Sequence, residues 1–178
     1  MGSSIIQQFR NCSIQNYDII NKGVSGLVTA NLRKINIDNE RYDYMFFYCG
    51  NNDLKKNVDK NEAIRNMEKY LYEFTQNFTN THIVVLSLLT SPKNHQLQLI
   101  DDVLYINQKM KEFNDFTYID INKELSNQKY YYDDVHLNDE GYHKLNRILD
   151  NHVLVSKSCK TRPTLPVYRN STTNRIRT

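Results

Sequence analysis

The sequence predicts an α/β protein, namely a three-layer α/β/α sandwich around a parallel sheet. Residues 43–49 and 82–88 are continuous apolar and aromatic runs, which suit strands that are buried on both faces. Each run is followed by a longer segment with apolar residues at helical spacing, at 60–78 and 97–113. Strands that alternate with helices of this length indicate parallel pairing, and the functional sites of such sheets lie at the carboxyl ends of the strands.

The amino-terminal part of the chain is expected to follow the same alternation. Residues 3–11 predict a helix, and residues 17–21 predict a short strand. Gly23 and Gly26 indicate a turn, after which a helical stretch runs to about residue 34. This arrangement would bring Gly26 to the carboxyl end of a strand.

The remaining elements complete the pattern. Residues 50–53 are expected to form a turn that ends the strand at 43–49, and residues 90–94 are expected to form a loop. Residues 116–119 predict a short strand, and residues 139–152 predict the last helix.

Composition and cysteine usage exclude several classes of protein. The chain has 178 residues, of which 39% are hydrophobic and 24% charged, so it suits one folded domain. No run approaches the roughly 18–20 apolar residues of a membrane span, and no basic-then-apolar leader is present, so a cytoplasmic location is the default expectation. The three cysteines are far apart and lack CxxC spacing, which argues against a disulfide framework and a zinc site. Cys49 is expected to be buried.

The charge is distributed unevenly between residues 1–152 and a tail at 153–178. The tail holds six of the 23 Lys and Arg residues and none of the 20 Asp and Glu residues, so 17 basic residues face 20 acids in the remainder, a net charge of −3. We therefore expect a folded domain at 1–152 and a basic, disordered tail. The tail could also make weak contact with nucleic acid.

The most informative motif lies just before the predicted last helix. Asp133 precedes His136 by three residues, a spacing that lets a carboxylate hold one imidazole nitrogen while the other nitrogen faces a nucleophile. In the alternative interpretation Asp133 is an ordinary loop residue, and Asn138 or Asp139 caps the helix. The two interpretations are compatible.

Three further positions could supply the partners of His136. Ser4 lies in the first turn of the predicted first helix, where a hydroxyl beside a base can act as a nucleophile. Gly26 would let a backbone N–H approach a substrate oxygen, and the Asn52 amide could donate to an oxyanion. The alternatives are a helix cap or an expression-tag remnant for Ser4, and ordinary turn chemistry for Gly26 and Asn52.

The order of these motifs is more specific than any one of them. Gly-x-Ser-Ile, Gly-x-x-Gly, Gly-x-Asn-Asp and Asp-x-x-His-x-Asn follow one another within residues 2–150. The series resembles the SGNH (GDSL-type) hydrolase family, whose four letters fall on Ser4, Gly26, Asn52 and His136. The resemblance implies a flavodoxin-like sheet and an enzyme that hydrolyses ester bonds.

Two features depart from the family pattern. Ser3 stands where the family usually has Asp, an acid that is not the nucleophile. The first strand of the family's sheet is also absent before Gly2. The sequence therefore predicts either a truncated amino terminus or an open sheet edge, which would expose backbone groups of the neighbouring strand.

The resemblance also implies a mechanism without metal or cofactor. Ser4 would be the nucleophile, His136 the base and Asp133 the residue that orients it, while the N–H groups of Ser4 and Gly26 and the Asn52 amide would hold the oxyanion. No long lid insertion is evident, so we expect small esters with acetyl or short acyl groups. The alternatives are a catalytically impaired member that binds a ligand, and an accessory domain beside a nucleic-acid-binding tail.

Overall fold

The fold is taken from a computed structural model, in which residues 1–38 and 40–158 are described. Its elements are α1 (Ser4–Gln8), a 3₁₀ helix (Thr29–Lys34), β1 (Tyr44–Phe47), α2 (Asn51–Lys55), α3 (Lys60–Asn77), β2 (His82–Leu86), α4 (Pro92–Gln96), α5 (Ile100–Lys111), β3 (Thr117–Ile119), α6 (Asn122–Leu125), a second 3₁₀ helix (Gln128–Tyr130) and α7 (Asp139–Ser158).

The three strands form a parallel sheet in the order β1-β2-β3, which confirms the predicted α/β class. Tyr44 of β1 is aligned with His82 of β2, and Val84 of β2 with Thr117 of β3. Both connections contain helices, α3 between β1 and β2 and α5 between β2 and β3. Helices on both faces of the sheet complete the three-layer sandwich, because parallel strands joined by crossovers are covered on both sides.

The centre of the sheet is the core of the molecule. Four consecutive side chains of β2 are almost fully buried, which is why this strand reads as a continuous apolar run: Ile83, Val84, Val85 and Leu86. Around the sheet, α3 packs against α5 and the first 3₁₀ helix, and α6 packs against α7. Cys49, two residues after the end of β1, is buried as predicted.

The amino-terminal segment lies between two other parts of the backbone. Gly2 forms single parallel bridges with Tyr48 on one side and with Gly23 on the other. The prediction of a strand at 17–21 was wrong, since these residues form no ladder and Ile19 and Ile20 remain 40% and 49% exposed. Two apolar residues in a row therefore did not mark a strand here, because no neighbouring strand pairs with them.

Two segments predicted as irregular are short helices. The loop predicted at 90–94 contains the start of α4, with Ser91 before the helix and Pro92 in its first turn. The turn predicted at 50–53 is the start of α2, and Gly50 precedes the helix with a φ of 132°. Both segments begin a helix. Ser, Pro, Gly and Asn occur at helix starts and also in turns, so these residue types did not distinguish the two structures.

The last helix is longer than the sequence indicated. The predicted domain ended at residue 152, but α7 continues to Ser158 and Val153 is buried on its inner face. Residues 159–178, most of the predicted tail, lie outside the described residues. Within 1–38 and 40–158, no helix combines the length and apolar character that crossing a bilayer requires.

Substitution of Gly23 by alanine is expected to destabilise the fold. A Cβ at this position would lie 2.2 Å from the Gln7 backbone nitrogen, so α1 would have to move away from the turn. Overpacking of this kind costs about 1–3 kcal/mol, which urea denaturation would detect as a lower free energy of unfolding. The matched control is Ser25→Ala at an exposed position of the same turn. Equal stability of the two variants would show that this contact does not hold α1.

Candidate active site

Three chain segments meet where β1 ends. The Ser3 N–H donates to the Tyr48 carbonyl at 3.1 Å, and the Val24 N–H donates to the Gly2 carbonyl at 2.8 Å. Ser4 is the first residue of α1, and Asn51, which follows Gly50, is the first residue of α2. The carboxyl end of β1 therefore carries the first turns of two helices beside the Gly23–Gly26 turn, which is the edge where sites form in parallel sheets.

Asp133 and His136 are in contact as their spacing predicted. The His136 Nδ1 lies 2.8 Å from Asp133 Oδ2, which fixes Nδ1 as the nitrogen that faces the carboxylate. Asp133 Oδ1 accepts the backbone N–H groups of Val135 at 2.7 Å and of His136 at 2.6 Å. The carboxylate thus binds both the ring and the backbone of the same histidine, which restricts the rotation of the imidazole.

The charge of Asp133 is stabilised by these hydrogen bonds. Partial burial alone would raise the pKa of the Asp133 carboxyl, but the hydrogen bonds from the His136 ring and from the N–H groups of His136 and Val135 outweigh it and lower the pKa to about 2. The carboxylate therefore stays ionised over the whole pH range in which an imidazole titrates. Tyr132 stacks on the His136 ring with ring centroids 5.8 Å apart, and its hydroxyl lies 3.5 Å from the same Nδ1.

Ser4 is buried, 7% exposed, at the first position of α1. Ser3, at the cap position, makes no side-chain capping hydrogen bond, so capping does not account for the serine pair. α1 is tied to the chain around His136 because the Tyr142 hydroxyl donates to the Ile5 carbonyl at 3.1 Å. Among the described residues no hydrogen bond joins Ser4 to His136; catalytic hydrogen bonds commonly tighten only when substrate binds.

Gly26 and Asn52 belong to two segments that are joined by hydrogen bonds. The Asn52 side-chain amide donates to the Leu27 carbonyl at 2.9 Å, and the Lys56 ammonium donates to the Gly26 carbonyl at 3.1 Å. Gly26 has a φ of +69°, a conformation that favours glycine, and open space surrounds the position of a Cβ. The two predicted oxyanion donors therefore belong to neighbouring backbone segments that α2 holds together.

Asp53 is a buried residue that the sequence did not single out. Its side chain is fully buried and accepts the Thr29 N–H at 3.0 and 3.1 Å and the Thr29 hydroxyl at 2.6 Å. Burial raises the pKa of the Asp53 carboxyl, and the hydrogen bonds from Thr29 oppose that effect. Asp53 directly follows Asn52, and Thr29 lies three residues after Gly26. The contact between Asp53 and Thr29 therefore fixes the positions of Asn52 and Gly26, the two predicted oxyanion donors, relative to each other.

A network of buried polar side chains joins the starts of α2 and α4. Asn94 donates to Asn51 Oδ1 at 3.1 Å, and Asn51 in turn donates to the Tyr48 hydroxyl at 2.9 Å. The Ser91 hydroxyl donates to Asn94 at the start of α4. Buried amides that are satisfied in this way rigidify their surroundings, so the two short helices have fixed positions at the rim of the site.

Two other features of the described residues bear on the chemistry. A cleft of about 460 Å³ lies between the 17–22 segment and β1, but none of the predicted site residues lines it. In the part of the chain that the structure describes, no three His, Cys, Asp or Glu side chains cluster in a way that could hold a metal ion.

The parallel sheet with its helical crossovers defines the α/β class, and a histidine held by a carboxylate is an arrangement that general bases of hydrolases use. The sequence profile of the GDSL-like Lipase/Acylhydrolase family matches residues 5–144. The chain therefore belongs to this family, and it is an ester-bond hydrolase of the general esterase or acylhydrolase kind. A search of curated protein sequences gave no match.

Solved structures share the fold at low sequence identity. A Streptococcus pneumonia protein that is provisionally called a platelet activating factor is 23% identical, with a TM-score of 0.75 over 85% of this chain and 81% of that one. A lipolytic G-D-S-L family protein from Veillonella parvula is 17% identical, with a TM-score of 0.68 over 89% and 96%. A mutant of Axe2, an acetyl-xylooligosaccharide esterase from Geobacillus, is 15% identical, with a TM-score of 0.65 over 85% and 91%.

Replacement of Asp53 by alanine is expected to lower the free energy of unfolding. The Thr29 N–H and hydroxyl would lose their acceptor in a buried place, and an unsatisfied buried donor costs about 1–3 kcal/mol. Chemical denaturation measures the change, and Asp115→Ala at an exposed loop position is the control. If Asp53→Ala were as stable as the control, the contact with Thr29 would not hold the two segments together.

Proposed function

We propose that the protein is a serine esterase that hydrolyses small acyl esters, with Ser4 as nucleophile, His136 as base and Asp133 as the residue that orients the base. The observation that carries the proposal is the contact of 2.8 Å between Asp133 Oδ2 and His136 Nδ1. A histidine whose Nδ1 is held by an ionised carboxylate presents Nε2 for proton transfer. Family membership supplies the matching general activity.

The reaction would proceed through an acyl-enzyme. Nε2 of His136 accepts the proton of the Ser4 hydroxyl as its oxygen attacks the ester carbonyl. The imidazolium, stabilised by Asp133, then gives the proton to the departing alcohol. Water, which gives its proton to His136 in the same way, then attacks the acyl group bound to Ser4 and releases the acid. The low pKa of Asp133 supports this role, because the carboxylate remains charged throughout the cycle.

Three donors are proposed for the oxyanion. The Ser4 N–H is among the first N–H groups of α1, which have no acceptor within the helix. The Gly26 N–H lies in the adjoining turn, which leaves space in front of the backbone. Asn52 uses one amide N–H for the Leu27 carbonyl and retains a second. Loss of one such donor typically lowers the rate about 10²–10³-fold.

The small size of the acyl group is inferred from the chain and one relative. The connections at the carboxyl edge are short helices and turns, and no long insertion covers them in the described residues. The related Geobacillus structure is named as an acetyl-xylooligosaccharide esterase. An acetyl ester is therefore the first substrate to test. Contact of the tail at 153–178 with nucleic acid remains a prediction.

Hydrolysis of 4-nitrophenyl acetate tests the proposal directly. The wild-type protein is expected to release nitrophenolate, and Ser4→Ala is expected to lower kcat about 10³-fold or more, because the variant has no hydroxyl at the position proposed for the nucleophile. Ser25→Ala, at an exposed position, is the control and should retain activity. Background turnover by folded wild-type protein would favour the ligand-binding alternative, and unaltered turnover by Ser4→Ala would exclude Ser4 as nucleophile.

A further inference from the structure

A second cleft, here called the Tyr132 cleft, lies beside the segment that carries His136. It has a volume of about 490 Å³ and lies between the end of α1 and the chain around the start of α7. Its walls include Gln8, Arg10, Tyr132, Leu137 and Asp139. The cleft at the 17–22 segment shares none of these residues, so the two clefts are separate.

Two walls of the Tyr132 cleft adjoin His136. Leu137 follows His136 in the chain, and the Tyr132 N–H donates to the His136 carbonyl at 3.1 Å. The Tyr132 ring stacks on the His136 ring with an angle of 16° between their planes. Tyr132 is nevertheless 61% exposed, so much of its ring is open to a ligand.

Another wall belongs to the helix that carries Ser4. Gln8 lies four residues after Ser4 in α1, so both side chains are on the same face of the helix. Gln8 Oε1 accepts the Tyr132 hydroxyl at 3.3 Å, which joins two walls of the cleft. The Tyr132 cleft therefore begins next to the proposed nucleophile and base, and it extends to Arg10, two residues beyond α1.

This position fits the alcohol part of an ester. In the proposed reaction the His136 imidazolium gives its proton to the departing alcohol, so the alcohol oxygen must lie within hydrogen-bond distance of Nε2. The proposed donors to the acyl oxyanion at Gly26 and Asn52 do not line the Tyr132 cleft. A group attached to the alcohol oxygen can therefore occupy the cleft while the acyl group lies elsewhere.

The polar side chains of the Tyr132 cleft offer both donors and acceptors. Within residues 1–38 and 40–158, neither the Arg10 guanidinium nor the Asp139 carboxylate forms a hydrogen bond or an ion pair. Gln8 uses its oxygen for Tyr132 and retains both amide N–H groups. Because Arg10 and Asp139 carry opposite charges, the cleft favours neither an anion nor a cation. Hydroxyl groups suit such a set, since each one donates and accepts.

We propose that the Tyr132 cleft binds the alcohol part of the substrate and that this alcohol is a sugar, whose ring lies on Tyr132 and whose hydroxyl groups bind Arg10 and Asp139. This inference rests on the proposed function, because it assigns a substrate class to the same site. The C–H bonds on the face of a sugar ring are polarised by the attached oxygens, which complements the negative face of an aromatic ring. A hydrocarbon alcohol would desolvate the guanidinium and the carboxylate without replacing their hydrogen bonds to water.

Three acetate esters test the assignment, because they share the acyl group and a primary alcohol oxygen. Methyl 6-O-acetyl-α-D-glucopyranoside and its galacto epimer present a hydroxylated ring, and cyclohexylmethyl acetate presents a six-membered ring without hydroxyl groups. The measured quantity is the ratio of kcat/KM for a sugar ester to kcat/KM for cyclohexylmethyl acetate, from the rate of acetate release. The wild-type ratio is expected to be about 10 or more for at least one sugar ester, since hydrogen bonds to charged groups contribute at this scale. Equal or faster hydrolysis of cyclohexylmethyl acetate would overturn the proposal.

Substitutions in the cleft are expected to remove this preference. Arg10→Gln and Tyr132→Ala should each lower the ratio about 10-fold, because one loses a charged donor and the other the ring surface. An effect of Tyr132→Ala on His136 itself changes both values of kcat/KM and cancels in the ratio. Arg65→Gln at an exposed position and Tyr72→Ala, where the tyrosine is also 61% exposed, are matched controls and should leave the ratio unaltered. A wild-type ratio in both cleft variants would exclude the subsite.

A binding measurement separates this inference from the proposed function. If the folded wild-type protein hydrolyses none of the three esters, the proposed function fails, and saturation-transfer NMR with methyl α-D-glucopyranoside and methyl α-D-galactopyranoside then tests the cleft alone. Saturation of the sugar protons that is lost in Tyr132→Ala and retained in Tyr72→Ala would support a sugar site without turnover. Absence of transfer from the wild-type protein to either sugar, or equal transfer from Tyr132→Ala, would contradict it.

Discussion

The close approach of the backbone at Gly2 is the constraint on which the rest of the site depends. Gly2 lies between Tyr48 and Gly23, and a Cβ at Gly2 would come within 2.0 Å of the Tyr48 carbonyl oxygen. Only a glycine fits in this gap. The same contact places Ser4 at the carboxyl edge of β1, one residue after the hydrogen bond from Ser3 to Tyr48. The position of the proposed nucleophile is thus fixed by backbone packing rather than by its own side chain.

The remaining parts of the site are fixed by buried polar contacts. Asp53 ties Thr29 to α2, and Asn51 and Asn94 join α2 to α4. Asp133 binds the backbone and the ring of His136 together. Each contact lies at the carboxyl end of a strand or in the connection that follows it, where the termini of helices leave N–H groups available. A preorganised arrangement of donors of this kind stabilises developing charge without reorganisation.

Much of the fold could be predicted from the sequence. The apolar runs at 43–49 and 82–88 and the helical spacing at 60–78 identified β1, β2 and α3, because burial on both faces or on one stripe leaves a clear pattern. The pattern at 17–21 did not show whether this segment forms a strand, since strand formation depends on a neighbouring strand that pairs with it. The start of α4 was missed although Ser91 and Pro92 are typical of a helix beginning.

The site was predictable only in part. The contact between Asp133 and His136 followed from their spacing, because three residues suffice to form it. The contact between Asp53 and Thr29 joins residues that are 24 positions apart, and the sequence contains no local signal for it. Long-range contacts of this kind arise from packing and not from local pattern.

The proposed reaction depends on Ser4 as the nucleophile that His136 activates. The most direct measurement is peptide mass spectrometry after treatment with diethyl 4-nitrophenyl phosphate, from which an activated serine oxygen displaces nitrophenolate to form a stable phosphate ester. We expect a single adduct on Ser4 that is lost in His136→Ala. A folded wild-type protein without an adduct on Ser4, or an equal adduct in His136→Ala, would contradict it.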